Sequence, residues 1–147
     1  MKDKTLGASN IHDLREMARR RLPRGVFEFV DRGTEDESAL RNNRAAFERI
    51  RLKPRTLVDV SGRSQAITLF GKKQPMPIVV GPTGTAGLLS YGGEVAVARA
   101  AAAAGIPFTV GTNAMTSMET IAEQAGGRLW FQLYMWSDRS LSHKIVE

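Results

Sequence analysis

The chain has 147 residues, 42% hydrophobic and 24% charged, the balance of a soluble globular protein able to bury a substantial core. It contains no cysteine, which excludes disulfides, thiolate catalysis and zinc–thiolate sites and makes a reducing cytoplasm the default compartment. Lys and Arg number 21 against 15 Asp and Glu, a net charge of +6, partly gathered in Arg19-Arg20-Arg21-Leu22-Pro23-Arg24. Such a run is either a solvated helix end, where cations oppose the helix dipole, or a contact for anionic lipid headgroups at the inner face of a membrane. No aromatic residues interleave with it as a nucleic-acid stacking platform requires, so nucleic acid is not expected. No stretch reaches the roughly 18 apolar residues of a membrane helix. The longest, Ala100 to Val110, is broken by Gly105 and Pro107, and Met1-Lys2-Asp3-Lys4-Thr5 lacks the apolar core of a secretory signal.

The first part of the chain reads as helical. Ile11, Leu14, Met17 and Ala18 recur at helical spacing behind Asn10, a suitable N-cap. Pro23 suits the first turn of a short second helix that carries Val26, Phe27, Phe29 and Val30 and stops near Gly33. A third helix is expected after Thr34, with Glu35, Asp36 and Glu37 set against its dipole and Leu40 and Phe47 on its buried side. A connector from Leu52 to Gln74 follows, in which Ala66-Ile67-Thr68-Leu69-Phe70 and the Gly71 turn predict a hairpin.

From Pro77 the texture alternates. The short apolar run Ile78–Val80 predicts a strand buried on both faces, as parallel sheets require, and it opens onto Gly81-Pro82-Thr83-Gly84. A helix over 94–104 is closed by Gly105 and Pro107, and a strand over 107–110 ends at Gly111-Thr112-Asn113. A helix over 117–125 carries a capping box of Thr116 and Glu119 and stops at Gly126-Gly127. A strand over 129–135 precedes a last helical segment from Ser137. Strand–helix repeated with short connections predicts a parallel sheet, with ligands bound at the C-terminal ends of its strands.

Candidate chemistry gathers at those strand ends. The Gly81–Gly84 loop is neither a GxGxxG fingerprint nor a phosphate-binding P-loop. Missing side chains and fixed proline geometry let a flat ligand lie on its backbone, and a plain turn is the competing reading. The polar groups of Thr112 and Asn113 either reach a ligand or satisfy their own turn. Alternation along Leu129-Trp130-Phe131-Gln132-Leu133-Tyr134-Met135 puts Gln132 and Tyr134 on one face, where a buried amide and phenol need polar partners. His12 and His143 lie in predicted surface helices without a second ligand at metal-binding spacing, which leaves no evident general base.

Several blocks, in order, resemble the N-terminal part of the FMN-dependent 2-hydroxy acid dehydrogenases and oxidases, the family of glycolate oxidase, flavin lactate dehydrogenase and (S)-mandelate dehydrogenase. They are Arg21-Leu22-Pro23, Gly33-Thr34-Glu35-Asp36-Glu37, Asn43-Arg44-Ala45-Ala46-Phe47 and Pro54-Arg55-Thr56-Leu57-Val58-Asp59-Val60. Met76-Pro77-Ile78 through Gly84, Ala98-Arg99-Ala100-Ala101 and Trp130-Phe131-Gln132-Leu133-Tyr134 complete the match, from about Ile11 onward. The resemblance implies an α/β fold of the TIM (β/α)8 type. Residues 1–75 would be an N-terminal helical segment with its connector, and residues 76–147 about the first three βα units of an incomplete barrel.

The resemblance also implies roles. Backbone of Pro82, Thr83 and Gly84 lies against the isoalloxazine ring of FMN, Gln132 bonds the ring's pyrimidine portion, and Tyr134 contacts the substrate hydroxyl as a catalytic group. Phe29 stands where the family has a carboxylate-holding tyrosine, a loss of ~1.5–3 kcal/mol for a bond to a charged group. Gly111 stands where a flavin-side serine is common. The family's base histidine, carboxylate-binding arginines and flavin-site lysine have no counterpart up to Glu147, so the chain alone is expected to be inactive. The implied reaction oxidises a mandelate- or lactate-like L-2-hydroxy acid to the 2-keto acid. A histidine takes the 2-proton, a hydride or its equivalent reaches the flavin, and a quinone, cytochrome or oxygen reoxidises it. A non-catalytic half-barrel, a homo-oligomer, a split enzyme completed by a second chain, and another FMN-dependent barrel oxidoreductase are the alternatives.

Overall fold

The computed structural model describes residues 7–146; the Met1–Thr5 stretch considered for a secretory signal lies outside them, as does Glu147. The chain divides into two compact units, Met1–Val60 and Ser61–Glu147.

The first unit contains α1 (Ile11–Arg21), α2 (Arg24–Asp31) and α3 (Ser38–Arg49). Asn10 caps α1, its side chain accepting from the Asp13 amide at 3.0 Å. Pro23 sits at the N-cap of α2, its φ of −55° already suited to helix entry. The guanidinium of Arg15 on α1 holds Asp31 on α2 through two hydrogen bonds and lies over the Phe27 ring. The acidic run precedes α3 instead of forming its first turn, because Glu35 and Glu37 take left-handed conformations, φ 50° and 58°. Leu40 and Phe47, expected on a buried side, are exposed; three short helices enclose too little volume, and no described residue of this unit is buried.

The second unit opens with the predicted hairpin, β1 (Ile67–Leu69) against β2 (Lys72–Gln74). Its turn residues Phe70 and Gly71 both have positive φ, 49° and 73°, the primed geometry that matches strand twist. Three strand–helix steps follow. Val80 forms a parallel bridge to Phe108, so the expected first strand pairs at that single residue. Next come α4 (Ala86–Leu89), a turn of helix that sequence periodicity did not signal, and α5 (Gly93–Ala103). Then β3 (Phe108–Val110), α6 (Met118–Ala125), β4 (Leu129–Phe131) and α7 (Arg139–Val146) complete the order. β3 and β4 are parallel, with Phe108, Thr109 and Val110 opposite Leu129, Trp130 and Phe131. β3 is central: the Thr109 amide donates to Val80 O and the Gln132 amide to Val110 O.

The core of this unit is Val95, Ala98 and Ala101 of α5, Ile106 just before the middle strand, Phe108 and Val110 within it, and Ile121 of α6. The hairpin seats at the N-terminal ends of the strands. Gln74 accepts from Arg128 at 2.6 Å and donates to Met76 O, while Phe70 meets Trp130 edge to face at 5.3 Å. Pairing there leaves the opposite, C-terminal ends as the open rim.

Candidate functional site

The rim is made of three loops, one after each successive strand position. Pro82, Thr83 and Gly84 are exposed in the first. Their conformation is set downstream, where Thr85 adopts φ 57° and its amide donates to Asn113 O of the second loop at 2.9 Å. Gly84 lies so close to that loop that a Cβ on it would sit 3.2 Å from Asn113 Cβ. Gly111 is buried, and a Cβ there would stand 3.5 Å from the Gly84 amide nitrogen. Glycine at position 84 therefore lets the first two loops run together, while a Cβ at Gly111 would make ordinary contact with the first loop.

The third loop joins through Thr112. Its hydroxyl donates to Gln132 O and accepts from the Tyr134 amide at 3.1 Å, while its own amide donates to Gln132 Oε1 at 3.2 Å. That hydroxyl takes over where β4 stops, which is why the strand expected over 129–135 ends at Phe131. Gln132 is half-buried, and its Nε2 donors have no partner among the described residues; Tyr134 is 60% exposed. Pro82–Gly84, Gly111, Gln132 and Tyr134 thus share one rim. Phe29 belongs to the first unit, on α2, where it is 72% exposed. His12 and His143 are exposed on α1 and α7.

One site-shaping residue escaped the sequence reading. Glu94, in the first turn of α5, is only 1% exposed. Its Oε1 accepts from the Gly87 amide at 3.1 Å and the Met115 amide at 3.0 Å, and its Oε2 accepts from the Thr116 hydroxyl at 3.1 Å. Burial pushes the carboxyl up, but hydrogen bonds from Met115, its own amide, Gly87 and Thr116 outweigh that and hold it below the usual carboxylate range. Thr116 is thereby diverted from the expected capping box; Ser117 caps α6 instead, accepting from the Thr120 amide at 3.2 Å. The available signal was a lone carboxylate opening an otherwise apolar, alanine-rich helix, which in sequence looks like a dipole effect alone.

Among the described residues no cluster of His, Cys, Asp or Glu can hold a metal ion, and no helix is long and apolar enough to cross a membrane. What the rim offers is backbone edges free of side chains, an amide donor and a phenol: neutral groups suited to a flat, polar-edged ring.

Comparison with known proteins identifies the family. The model of the FMN-dependent dehydrogenase family matches residues 18–147. (S)-Mandelate dehydrogenase of Pseudomonas putida is 46% identical over 126 residues, 86% of this chain and 32% of that protein. A putative L-lactate dehydrogenase of Mycobacterium tuberculosis is 43% identical over 143 residues, 96% of this chain and 34% of that protein. The crystal structure of a monotopic membrane (S)-mandelate dehydrogenase superposes with a TM-score of 0.87 at 42% identity, covering 95% of this chain and 37% of that one. The chain therefore spans about a third of the length of the curated relatives it matches. It belongs to the FMN-dependent dehydrogenase family, and its second unit has the architecture of the opening βα units of that family's (β/α)8-type barrel.

Proposed function

We propose that this chain supplies one side of the flavin site of a 2-hydroxy acid dehydrogenase of mandelate- or lactate-like type. The observation that carries the reading is the convergence of three strand-end loops on one rim, with side-chain-free backbone at Gly84 and Gly111 and unpartnered amide donors on Gln132. These residues fit FMN: the tight approach of Gly84 to Asn113 leaves a backbone edge for a planar ring, and the Gln132 Nε2 matches a ring carbonyl. Bound there, FMN supplies the two-electron acceptor.

The chain's own residues then act by holding and orienting. Backbone of Pro82–Gly84 faces the ring. Gln132, fixed through its Oε1 by the Thr112 amide, keeps Nε2 turned to the ring's polar edge. The Tyr134 hydroxyl takes the substrate's hydroxyl. No histidine stands at the three loops among the described residues. A quinone, cytochrome or oxygen would be the external acceptor of the loaded enzyme.

FMN titration of the 147-residue chain tests this by flavin fluorescence quenching. Binding in the micromolar range or weaker is expected, with Gln132→Leu weakening it about 5–10-fold for one lost hydrogen bond of ~1 kcal/mol or more. No turnover of mandelate or lactate is expected. Absence of quenching, or a Gln132→Leu chain that binds as well as the wild type, overturns the assignment.

A further inference from the structure

We infer that Glu94 is a positioning residue for the cofactor-facing rim, a clamp that holds the first two loops at one fixed separation. The inference rests on the flavin reading above and adds a residue that touches neither ring nor substrate.

The geometry is unusual for a carboxylate in a first helical turn. Such a group ordinarily caps its own helix or faces solvent. Glu94 bonds its own amide but also turns inward to the loops, and Gly92 at the N-cap of α5 offers no side-chain bond. One oxygen is shared between the Gly87 amide, a short step beyond Pro82–Gly84, and the Met115 amide, a short step beyond Gly111. The other oxygen holds Thr116 in the second loop. Both loops thus bond to a single planar group carried by a rigid helix.

Space confirms the fit. A Cβ on Gly87 would lie 3.3 Å from Glu94 Oε2 and 3.1 Å from Met115 Cβ, so glycine is what admits the carboxylate between the loops. Elsewhere the same loops meet through the Thr85 amide on Asn113 O at 2.9 Å and the approach of Gly84 to Asn113. The clamp fixes the loops at their far end, and the Thr85 bond fixes them at the rim. A site that binds a rigid ring against backbone needs its two walls held within a fraction of an ångström.

The test compares the wild-type chain with Glu94→Gln, Glu94→Ala and Thr116→Val. Amide hydrogen exchange is followed at Gly87 and Met115, with Phe108 in the core as reference, and FMN affinity by fluorescence quenching. Glutamine keeps one oxygen for both amides and a donor for the Thr116 oxygen. Glu94→Gln should therefore hold exchange and affinity within about 3-fold of wild type. Glu94→Ala should speed exchange at Gly87 and Met115 by at least about 10-fold with Phe108 unchanged, and weaken FMN binding by a similar factor. If Phe108 exchange rises with the others, the alanine chain has lost its fold. Thr116→Val, which leaves both amide bonds intact, then carries the test, with a smaller loss of affinity of about 2–4-fold. Slow exchange at Gly87 and Met115 in a folded alanine chain overturns the clamp, and so does loosened exchange with unchanged FMN affinity. A wild-type chain that does not bind FMN overturns the flavin reading instead. The rim is then no cofactor wall, and the exchange rates report whether Glu94 joins the loops at all.

Discussion

Gly93 opens α5, and replacing it by alanine sets two effects of known size against each other. Alanine in a helix is favoured over glycine by up to ~1 kcal/mol, part of it from a less flexible unfolded chain. Against this, the new methyl carbon would lie 2.6 Å from the Ala86 carbonyl oxygen and 2.9 Å from its carbon. These are backbone atoms of α4, which cannot rotate aside as a side chain would. Relieving the overlap means moving α4 from α5 by several tenths of an ångström, and overpacking of this kind costs about 1–3 kcal/mol or more. The steric term wins, for a net loss of about 1–2 kcal/mol. Both tryptophans, Trp130 and Trp136, lie in the second unit, so urea unfolding followed by their fluorescence reports it directly. With a slope of about 1–3 kcal/mol per molar urea, the midpoint should fall by on the order of 1 M. Gly25→Ala in α2 is the matched control: nothing lies within 4 Å of its added Cβ, and it should stabilise the first unit slightly, by about 0.5 kcal/mol. A Gly93→Ala midpoint at or above wild type would refute the argument, because propensity would then have outweighed contact.

Two further outcomes follow from the rim. Thr112→Val keeps the shape but deletes the hydroxyl that bonds Gln132 O and the Tyr134 amide. A loss of about 1–2 kcal/mol in the second unit is expected, with faster exchange at the Tyr134 amide; unchanged exchange there would show that the hydroxyl does not hold the third loop. The Glu94 carboxyl is held below its ordinary range in the folded chain. Its contribution is therefore present above the unfolded glutamate pKa of about 4.3 and lost as pH falls through the lower folded value. Acid unfolding curves of wild type and Glu94→Gln should converge as pH falls through that window, and parallel curves would contradict it.

The strand–helix alternation after Pro77 was legible because glycine or proline punctuates most of its connections and short apolar runs mark the strands. Among them β3 is buried along its length, whereas Ile78, expected in a strand buried on both faces, is 51% exposed. The rim was legible too, at Gly81–Gly84, Gly111–Asn113 and Gln132–Tyr134. What stayed hidden depends on partners distant in sequence. Thr116 and Ser117 are both plausible caps, and only the presence of Glu94 across the fold decides between them. Leu133 onward has the alternation of a strand, yet the Thr112 hydroxyl replaces the next backbone rung. Leu40 and Phe47 form an apolar side on α3 that periodicity reads as buried, but periodicity cannot say whether enough chain is present to cover it.

Beyond Val95 the buried face of α5 is made of methyl groups: Ala98 and Ala101 are buried, and Ala102 is half-buried beside them. Ordering such a face costs almost no rotamer entropy, yet it gives a smooth surface with little to stop the helix from sliding along its axis. Three pins supply the stop. Glu94 fixes the first turn, the Arg99 Nε donates to Gln124 O at 2.9 Å in the middle, and Gly127 lies where a Cβ would come 2.7 Å from Ala102 Cβ at the far end. Removing a pin should therefore blur the axial register of the helix while the chain stays folded. Resonances along α5 would broaden at temperatures where circular dichroism still reports full helix. Damage of this kind reaches the rim without unfolding anything, because α5 is the rail on which both loops ride.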